Sequence, residues 1–332
     1  MEYPSLDKPT AGAFRFNTDS SQLEIYVGSQ WTNLVINPTT NSARAIFGGG
    51  QTPTNLNTLE YVNINTAGNA IDWGDLTVAG SWLTAACSSR TRGVYIGGHP
   101  RGDVIDYIEM ATTGNAIDFG DPSVNRGAAG GLGNSIRGVY AGGDTSGSKK
   151  DSIEYITFAV KSNATDFGDL VTGATGGLCA ALADQTRGIF GGGYTPTHLN
   201  VMQYITIMTL GDSLDFGDLT ALSNELAAGF SNATRGIFAG GSGDANMINF
   251  ITVASKGNGA YFGDLTSGGG NSCMGGGCTH IRGVIGGAAS PNYNNAIEYV
   301  TIATLGNSAD FGDLSSAVGQ GACVSNAHGG IY

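Results

Sequence analysis

The segment Asn115–Asp121, NAIDFGD, decides how this chain is read, because it is written six times. It returns as NAIDWGD at Asn69–Asp75, NATDFGD at Asn163–Asp169, DSLDFGD at Asp212–Asp218, NGAYFGD at Asn258–Asp264 and NSADFGD at Asn307–Asp313. A catalytic group is needed once, whereas an element that closes a structural unit is needed in every unit. A second phrase keeps pace with the first: ARAIFGGG from Ala43, TRGVYIGG from Thr91, IRGVYAGG from Ile136, TRGIFGGG from Thr186, TRGIFAGG from Thr234 and IRGVIGGA from Ile281. Its arginines, Arg44, Arg92, Arg137, Arg187, Arg235 and Arg282, are spaced by 48, 45, 50, 48 and 47 residues.

Each unit contains four short strand-like runs. In the unit from Gly80 these are GSWLTAACSS (small and apolar), RGVYIGG (β-branched and aromatic, ending on a Gly pair), VIDYIEMAT and NAIDFGDP. The third run alternates apolar and polar residues, with Val104, Asp106 and Ile108 on one side and Ile105, Tyr107 and Glu109 on the other. No run has a useful helical period. Four short strands per unit, repeating near 47 residues, describe a β-propeller blade, for which periods of roughly 40–50 residues are known. Six motifs predict six blades. The first unit starts at its second strand, near Ala43, and the chain ends in GQGACVSNAHGGIY, which reads as a first strand. The C-terminal strand is therefore expected to complete the first blade, removing two sheet edges.

Composition agrees. Glycine is 55 of 332 residues, about twice its usual ~7% share, and charged residues are 13%, near half the usual ~25%. Hydrophobic residues are 41%, enough for a packed core. The net charge of −12 with only 15 basic residues argues against a phosphate-gripping nucleic-acid protein and against an anionic membrane surface. No apolar run reaches the ~20 residues of a membrane span, and MEYPSLDKPT does not read as a signal peptide. Cys87, Cys179 and Cys323 fall at matching places and read as small buried hydrophobes. Cys273 and Cys278, in CMGGGC, lack partners at zinc-site spacing.

Residues 1–40 fall outside the repeat. AFRFNTDSSQLEIYVGSQWTNLV reads as a three-stranded meander, with Phe14, Phe16, Leu23, Ile25, Val27 and Trp31 supplying one apolar face and Pro38–Thr40 a linker. Forty residues make too small a core to stand alone. An anchoring or oligomerising module at 1–40 and a propeller at 41–332 are the expected domains.

The pattern resembles the kelch family. The likeness lies in the small-residue first strand, the Gly pairs (Gly97–Gly98, Gly142–Gly143, Gly192–Gly193, Gly240–Gly241, Gly286–Gly287, with Gly48–Gly50 in the first unit), the third-strand aromatics Tyr61, Tyr107, Tyr155, Tyr204, Phe250 and Tyr299, and the final-strand aromatic. The Trp usual on the kelch final strand appears only as Trp73, so the chain is kelch-like. The fold implied is all-β: a six-bladed kelch-like propeller closed by its C-terminal strand and preceded by a small β-meander. The opening segment YPSLDKPTAGAFRFNTDSSQLEIYVGSQWTNLV and the phrase AIDFGD resemble virion structural and tail-fibre-like proteins of tailed phages, especially cyanophages. That resemblance implies a place in a virus particle, contacts with other virion proteins through residues 1–40, homo-oligomerisation, and assembly in the host cytoplasm without a signal peptide.

The pairs Asp72/Asp75, Asp118/Asp121, Asp166/Asp169, Asp215/Asp218 and Asp310/Asp313 are near-identical, whereas two-carboxylate hydrolysis needs one pair in unlike environments. His99, His198, His280 and His328 are scattered, and no nucleophile-elbow phrase is present. The tripeptide Arg101–Asp103 (RGD) reads as a chance match. No cofactor and no metal site is expected. The six motif aspartates, Asp75, Asp121, Asp169, Asp218, Asp264 and Asp313, are expected to pair with the six repeat arginines, which take up six of the chain's 15 basic residues. By contrast, the loops after the Gly pairs vary: QTPTNLN, HPRGD, DTSGSKK, YTPTHLN, SGDAN and ASPNYNN. Loops on a rigid scaffold carry recognition. Arg101, Lys149, Lys150, Tyr194, His198 and Tyr293 are the candidate ligand-binding residues, with a host surface polysaccharide as the expected ligand. The function expected is a non-enzymatic attachment or decoration protein. The alternatives are a glycan-degrading propeller enzyme and a cellular kelch-type interaction scaffold.

Overall fold

Each repeat folds into one four-stranded antiparallel sheet in the computed structural model, which describes residues 9–17, 22–33, 43–82, 85–145, 147–171, 180–195, 197–221, 228–241, 246–267, 275–289 and 292–331. Cys179, Cys273 and the Pro38–Thr40 linker lie outside the described residues. From innermost to outermost strand, sheet 1 comprises Ala322–Ser325, Arg44–Gly48, Thr58–Asn63 and Ile71–Asp75. Sheet 2 comprises Ala85–Ser88, Arg92–Ile96, Ile105–Glu109 and Ile117–Gly120. Sheet 3 comprises Gly130–Gly133, Arg137–Ala141, Ser152–Thr157 and Thr165–Asp169, and sheet 4 Ala180–Ala183, Arg187–Gly191, Val201–Thr206 and Leu214–Asp218. Sheet 5 comprises Ala228–Ser231, Arg235–Ala239, Met247–Thr252 and Ala260–Asp264, and sheet 6 Gly276–Cys278, Arg282–Ala288, Asn294–Thr301 and Ala309–Asp313.

The chain separates into two units, Met1–Ser42 and Ala43–Tyr332. In the larger unit, the C-terminal strand pairs with the first strand of the repeat in the register Ala322↔Gly48 to Ser325↔Ala45. The innermost strands touch in succession, from sheet 2 through sheet 6 to sheet 1, and sheet 1 in turn touches sheet 2. Six apolar clusters fill the spaces between consecutive sheets, and the sixth joins Val284, Ile297 and Phe311 of sheet 6 to Ala45, Phe47 and Val62 of sheet 1.

The third strand is covered on both sides. Four of the five residues of Ile105–Glu109 are buried, including Asp106 at 0% exposure. The final-strand aromatics Trp73, Phe119, Phe167, Phe216, Phe262 and Phe311 are each 1–3% exposed and sit edge-on to the third-strand aromatic. In every sheet the register between third and fourth strands skips at this aromatic, as in Leu59↔Gly74 followed by Glu60↔Asp72. A bulge there re-aims the ring into the space between sheets. Except at Gly286, the Gly pairs have positive φ, for instance +61° at Gly97 and +103° at Gly98, a turn that side-chain-bearing residues adopt at a cost.

The smaller unit is a three-stranded antiparallel sheet, Phe14–Asn17, Gln22–Val27 and Gln30–Asn33. One face holds Arg15 in an ion pair with Glu24 (2.6 Å) and 4.4 Å above the Trp31 ring, with Tyr26 edge-on to Trp31. The opposite face carries Phe14, Phe16 and Val27, each more than half exposed. Trp31 therefore belongs to the polar-lined face, not to the apolar face on which its hydrophobicity placed it.

Candidate functional site

The six motifs form a recurring clasp between sheets. The first side chain of each motif accepts a hydrogen bond from the backbone N–H of the last residue of the preceding motif. The pairs are Asp75 to Asn115, Asp121 to Asn163, Asp169 to Asp212, Asp218 to Asn258, Asp264 to Asn307 and Asp313 to Asn69, all at 2.9–3.1 Å. The carbonyl of that last residue accepts in return from the N–H of the second motif residue, as in Ala116 N–H to Asp75 O (2.7 Å) and Ala70 N–H to Asp313 O (2.8 Å). The motif glycine permits the approach. A Cβ on Gly168 would lie 2.5 Å from the Gly211 carbonyl carbon and oxygen, and Gly74, Gly120, Gly217, Gly263 and Gly312 face the next sheet's backbone in the same way.

This geometry corrects the expected pairing of arginine and aspartate. Within a sheet the arginine lies opposite the end of the third strand (Arg44↔Asn63), and the aspartate opposite its start (Thr58↔Asp75). Five residues of strand separate them, about 17 Å at ~3.3 Å per residue. Instead, Nη1 of Arg44, Arg92, Arg137, Arg187, Arg235 and Arg282 donates to the carbonyls of Met110, Phe158, Ile207, Val253, Ile302 and Ile64 at 2.5–3.2 Å. Each acceptor follows the third strand of the next sheet. Each guanidinium also lies 4.4–5.5 Å from the third-strand ring of its own sheet. The repeated arginine is a second fastener between sheets, placed at the opposite end from the motif clasp.

A third fastener escaped the sequence reading. The polar residue before each third-strand aromatic, Glu60, Asp106, Glu154, Gln203, Asn249 or Glu298, is buried. Most of them receive the loop that arrives from the preceding sheet. Asp106 accepts from the N–H and hydroxyl of Thr77, Glu154 from those of Ser123, Asn249 from those of Thr220, and Glu298 from Thr266 and Ser267. Gln203 accepts from the Ser213 hydroxyl, and Glu60 from the Ser315 N–H. A buried residue of that type recurring at one register position was the available signal.

The variable loops divide into two kinds. Arg101 is no surface grip: it is 2% exposed and its Nη2 lies 2.6 Å from Asp106. One sheet on, Arg126 makes the equivalent buried pair with Glu154 at 3.0 Å. Buried pairs of this kind are costly to break from one side. Lys149, Tyr194 and His198 come together from the hairpins of adjacent sheets. Lys149 pairs with Asp144 at 2.8 Å and lies 5.3 Å from the Tyr194 ring, while His198 meets that ring edge-on at 5.6 Å. Tyr194 is half-buried and His198 exposed. Lys150 gives its N–H to Gly143 O, and Tyr293 stands half-buried before the third strand of sheet 6.

Where the innermost strands meet lies a cavity of about 50 Å³, lined by small residues together with Cys87, Cys278, Cys323 and His328. It has room for water but not for a sugar ring. Burial raises all three thiols, Cys278 to about 12. The match expected of Cys87 and Cys323 misses by one residue: Cys87 lies opposite Val94, whereas Cys323 lies opposite Phe47, the counterpart of Tyr95, and Cys87 is buried while Cys323 is half-buried. Among the described residues, no cluster of three His, Cys, Asp or Glu side chains is arranged to hold a metal, and no helix is long and apolar enough to cross a membrane. No protein-family model matches the chain, and no curated protein is detectably similar to it.

Proposed function

We propose that the chain is a non-enzymatic structural protein of a phage particle, its six sheets closing into a kelch-like six-bladed propeller that displays variable loops for attachment or decoration. The contrast between what repeats and what varies carries this reading. Three fasteners between sheets recur around the larger unit, so the repeated chemistry builds a scaffold. The non-repeating chemistry gathers at hairpin tips, where Lys149, Tyr194 and His198 offer a cation, an aromatic face and an imidazole within one patch. An aromatic face beside hydrogen-bonding groups suits a sugar ring, and a lysine suits an acidic polysaccharide. The resemblance of the opening segment to virion proteins supports the particle as the setting. The uncovered face of Phe14, Phe16 and Val27 is the contact to other virion proteins or to further copies of the chain.

Two measurements test this. Mass spectrometry of purified particles is expected to find the chain at stoichiometric copy number; its presence only in host lysate would support a cellular scaffold instead. Binding of the intact protein to host envelope polysaccharide is expected to weaken about tenfold in Tyr194→Ala, the loss of ~1.4 kcal/mol from one stacking contact, with melting temperature unchanged. Equal binding by wild type and variant would remove the glycan reading, and release of reducing sugar ends would favour the enzyme.

A further inference from the structure

Beyond the closing strand, residues 326–331 cross one mouth of the central cavity and end in a buried 3₁₀ turn, Gly329–Ile331. This strap reaches sheets 1, 2, 3 and 5. The Arg44 N–H of sheet 1 donates to Asn326 Oδ1 at 2.8 Å. In sheet 2, His328 Nε2 lies 2.9 Å from Ser88 O, and Arg90, just beyond that strand, donates from Nε to Ile331 O at 3.1 Å. A Cβ on Gly330 would strike the Gly133 carbonyl of sheet 3, and one on Gly329 the backbone of Asn232 beside sheet 5.

Both imidazole nitrogens of His328 are committed. The Gly330 N–H donates to Nδ1 at 3.2 Å, so Nδ1 must be unprotonated, and Nε2 carries the proton given to Ser88 O. A proton added at Nδ1 would confront the Gly330 N–H. Among the described residues, no carboxylate on the cavity lining would balance the charge so formed. The titratable groups on the cavity lining are the thiols of Cys87, Cys278 and Cys323, all held neutral, and no carboxylate lines the cavity among the described residues. Arg90, which donates to Ile331 O in the strap, is itself a cation.

We infer that the C-terminal strap is an acid-released latch, in which neutral His328 holds residues 326–331 across the cavity and its protonation frees them, opening the cavity and its thiols. Burial lowers the affinity of His328 for a proton below its ordinary value near 6.5. The strapped state therefore binds fewer protons than the released one. Its hold is complete above about pH 6.5 and is lost as the pH falls through the lower strapped value.

The intact protein is labelled at neutral pH and at pH 5 with a dipyridyl disulfide, which reacts with thiols in acid, and Cys87, Cys278 and Cys323 are quantified by peptide mass spectrometry. Wild type is expected to label about tenfold faster in acid, one decade for each pH unit over which the latch titrates. His328→Gln, which keeps a donor and an acceptor but does not titrate, is expected to change less than about twofold over that range. Hydrogen exchange on the wild type supplies a second reading: residues 326–331 should lose protection in acid while Arg187–Gly191 of sheet 4 keeps it. The same acid acceleration in His328→Gln, or simultaneous loss of protection in strap and sheet 4, would overturn the latch.

Discussion

Replacing Gly168 with alanine probes the clasp at its tightest point. Gly168 has φ +147°, and its added Cβ would lie 2.5 Å from the Gly211 carbonyl and 2.9 Å from Asp212 N, all backbone atoms of the next sheet. Two costs combine there. A side chain at such a φ costs about 1–3 kcal/mol, and overpacking against atoms that cannot rotate away costs about 1–3 kcal/mol more. Two sister variants separate them. Gly211 has φ +142° with nothing within 4 Å of its Cβ position, so Gly211→Ala bears only the conformational cost. Gly263 lies outside the left-handed range but its Cβ would strike the Gly306 carbonyl, so Gly263→Ala bears only the close approach. At roughly 2–3 °C per kcal/mol for a unit of this size, Gly168→Ala should lower the melting temperature by about 5–15 °C. Each sister should lower it by about 2–9 °C, their sum approaching the value for Gly168→Ala. Calorimetry of the three variants decides the matter. If Gly211→Ala is as damaging as Gly168→Ala and Gly263→Ala is neutral, the motif glycine serves local conformation alone and the clasp argument fails.

Other substitutions test the remaining fasteners. Asp212→Ala removes the acceptor of the Asp169 N–H and should cost about 1 kcal/mol in urea unfolding, while Asp212→Asn keeps it. Asp169→Ala should be neutral within about 0.5 kcal/mol, because its clasp uses backbone N–H and its exposed carboxyl is raised by burial and by the neighbouring acids Asp151, Asp212 and Asp166. Arg187→Lys gives up the planar guanidinium over Tyr204 and the bond to Val253 O, and should cost about 1–2 kcal/mol by the same assay. Glu154→Leu strands Arg126 in the interior and should cost about 3–5 kcal/mol, with part of the loss recovered when Arg126→Met is added.

The repeat was legible because its period, its Gly pairs and its bulged aromatic are local features, each dictated by the few residues that carry it. The fasteners were less so, because a sequence does not display register. Arg44 and Asp75 look like partners by charge, yet antiparallel pairing sends them to opposite ends of one strand. Arg101 looked like a surface cation because it lies in a variable loop. Asp106, five residues on, draws it inward. Stacking on both faces hides the polar position, and only an equivalent residue in every repeat betrays it. Of the six candidate loop residues, Lys149, Tyr194 and His198 converge because two consecutive hairpins extend toward each other, a relation between loops roughly fifty residues apart that neither loop states alone.

The central claim is that the last strand of the chain completes the first sheet. Hydrogen exchange of the intact protein and of a chain ending at Gln320 tests it most directly. In the intact protein, the amides of Arg44–Gly48 should be as protected as those of Arg187–Gly191, since both strands are paired on two sides. In the shortened chain, protection should fall first and furthest at Arg44–Gly48. Unchanged protection of Arg44–Gly48 after the deletion would contradict the account.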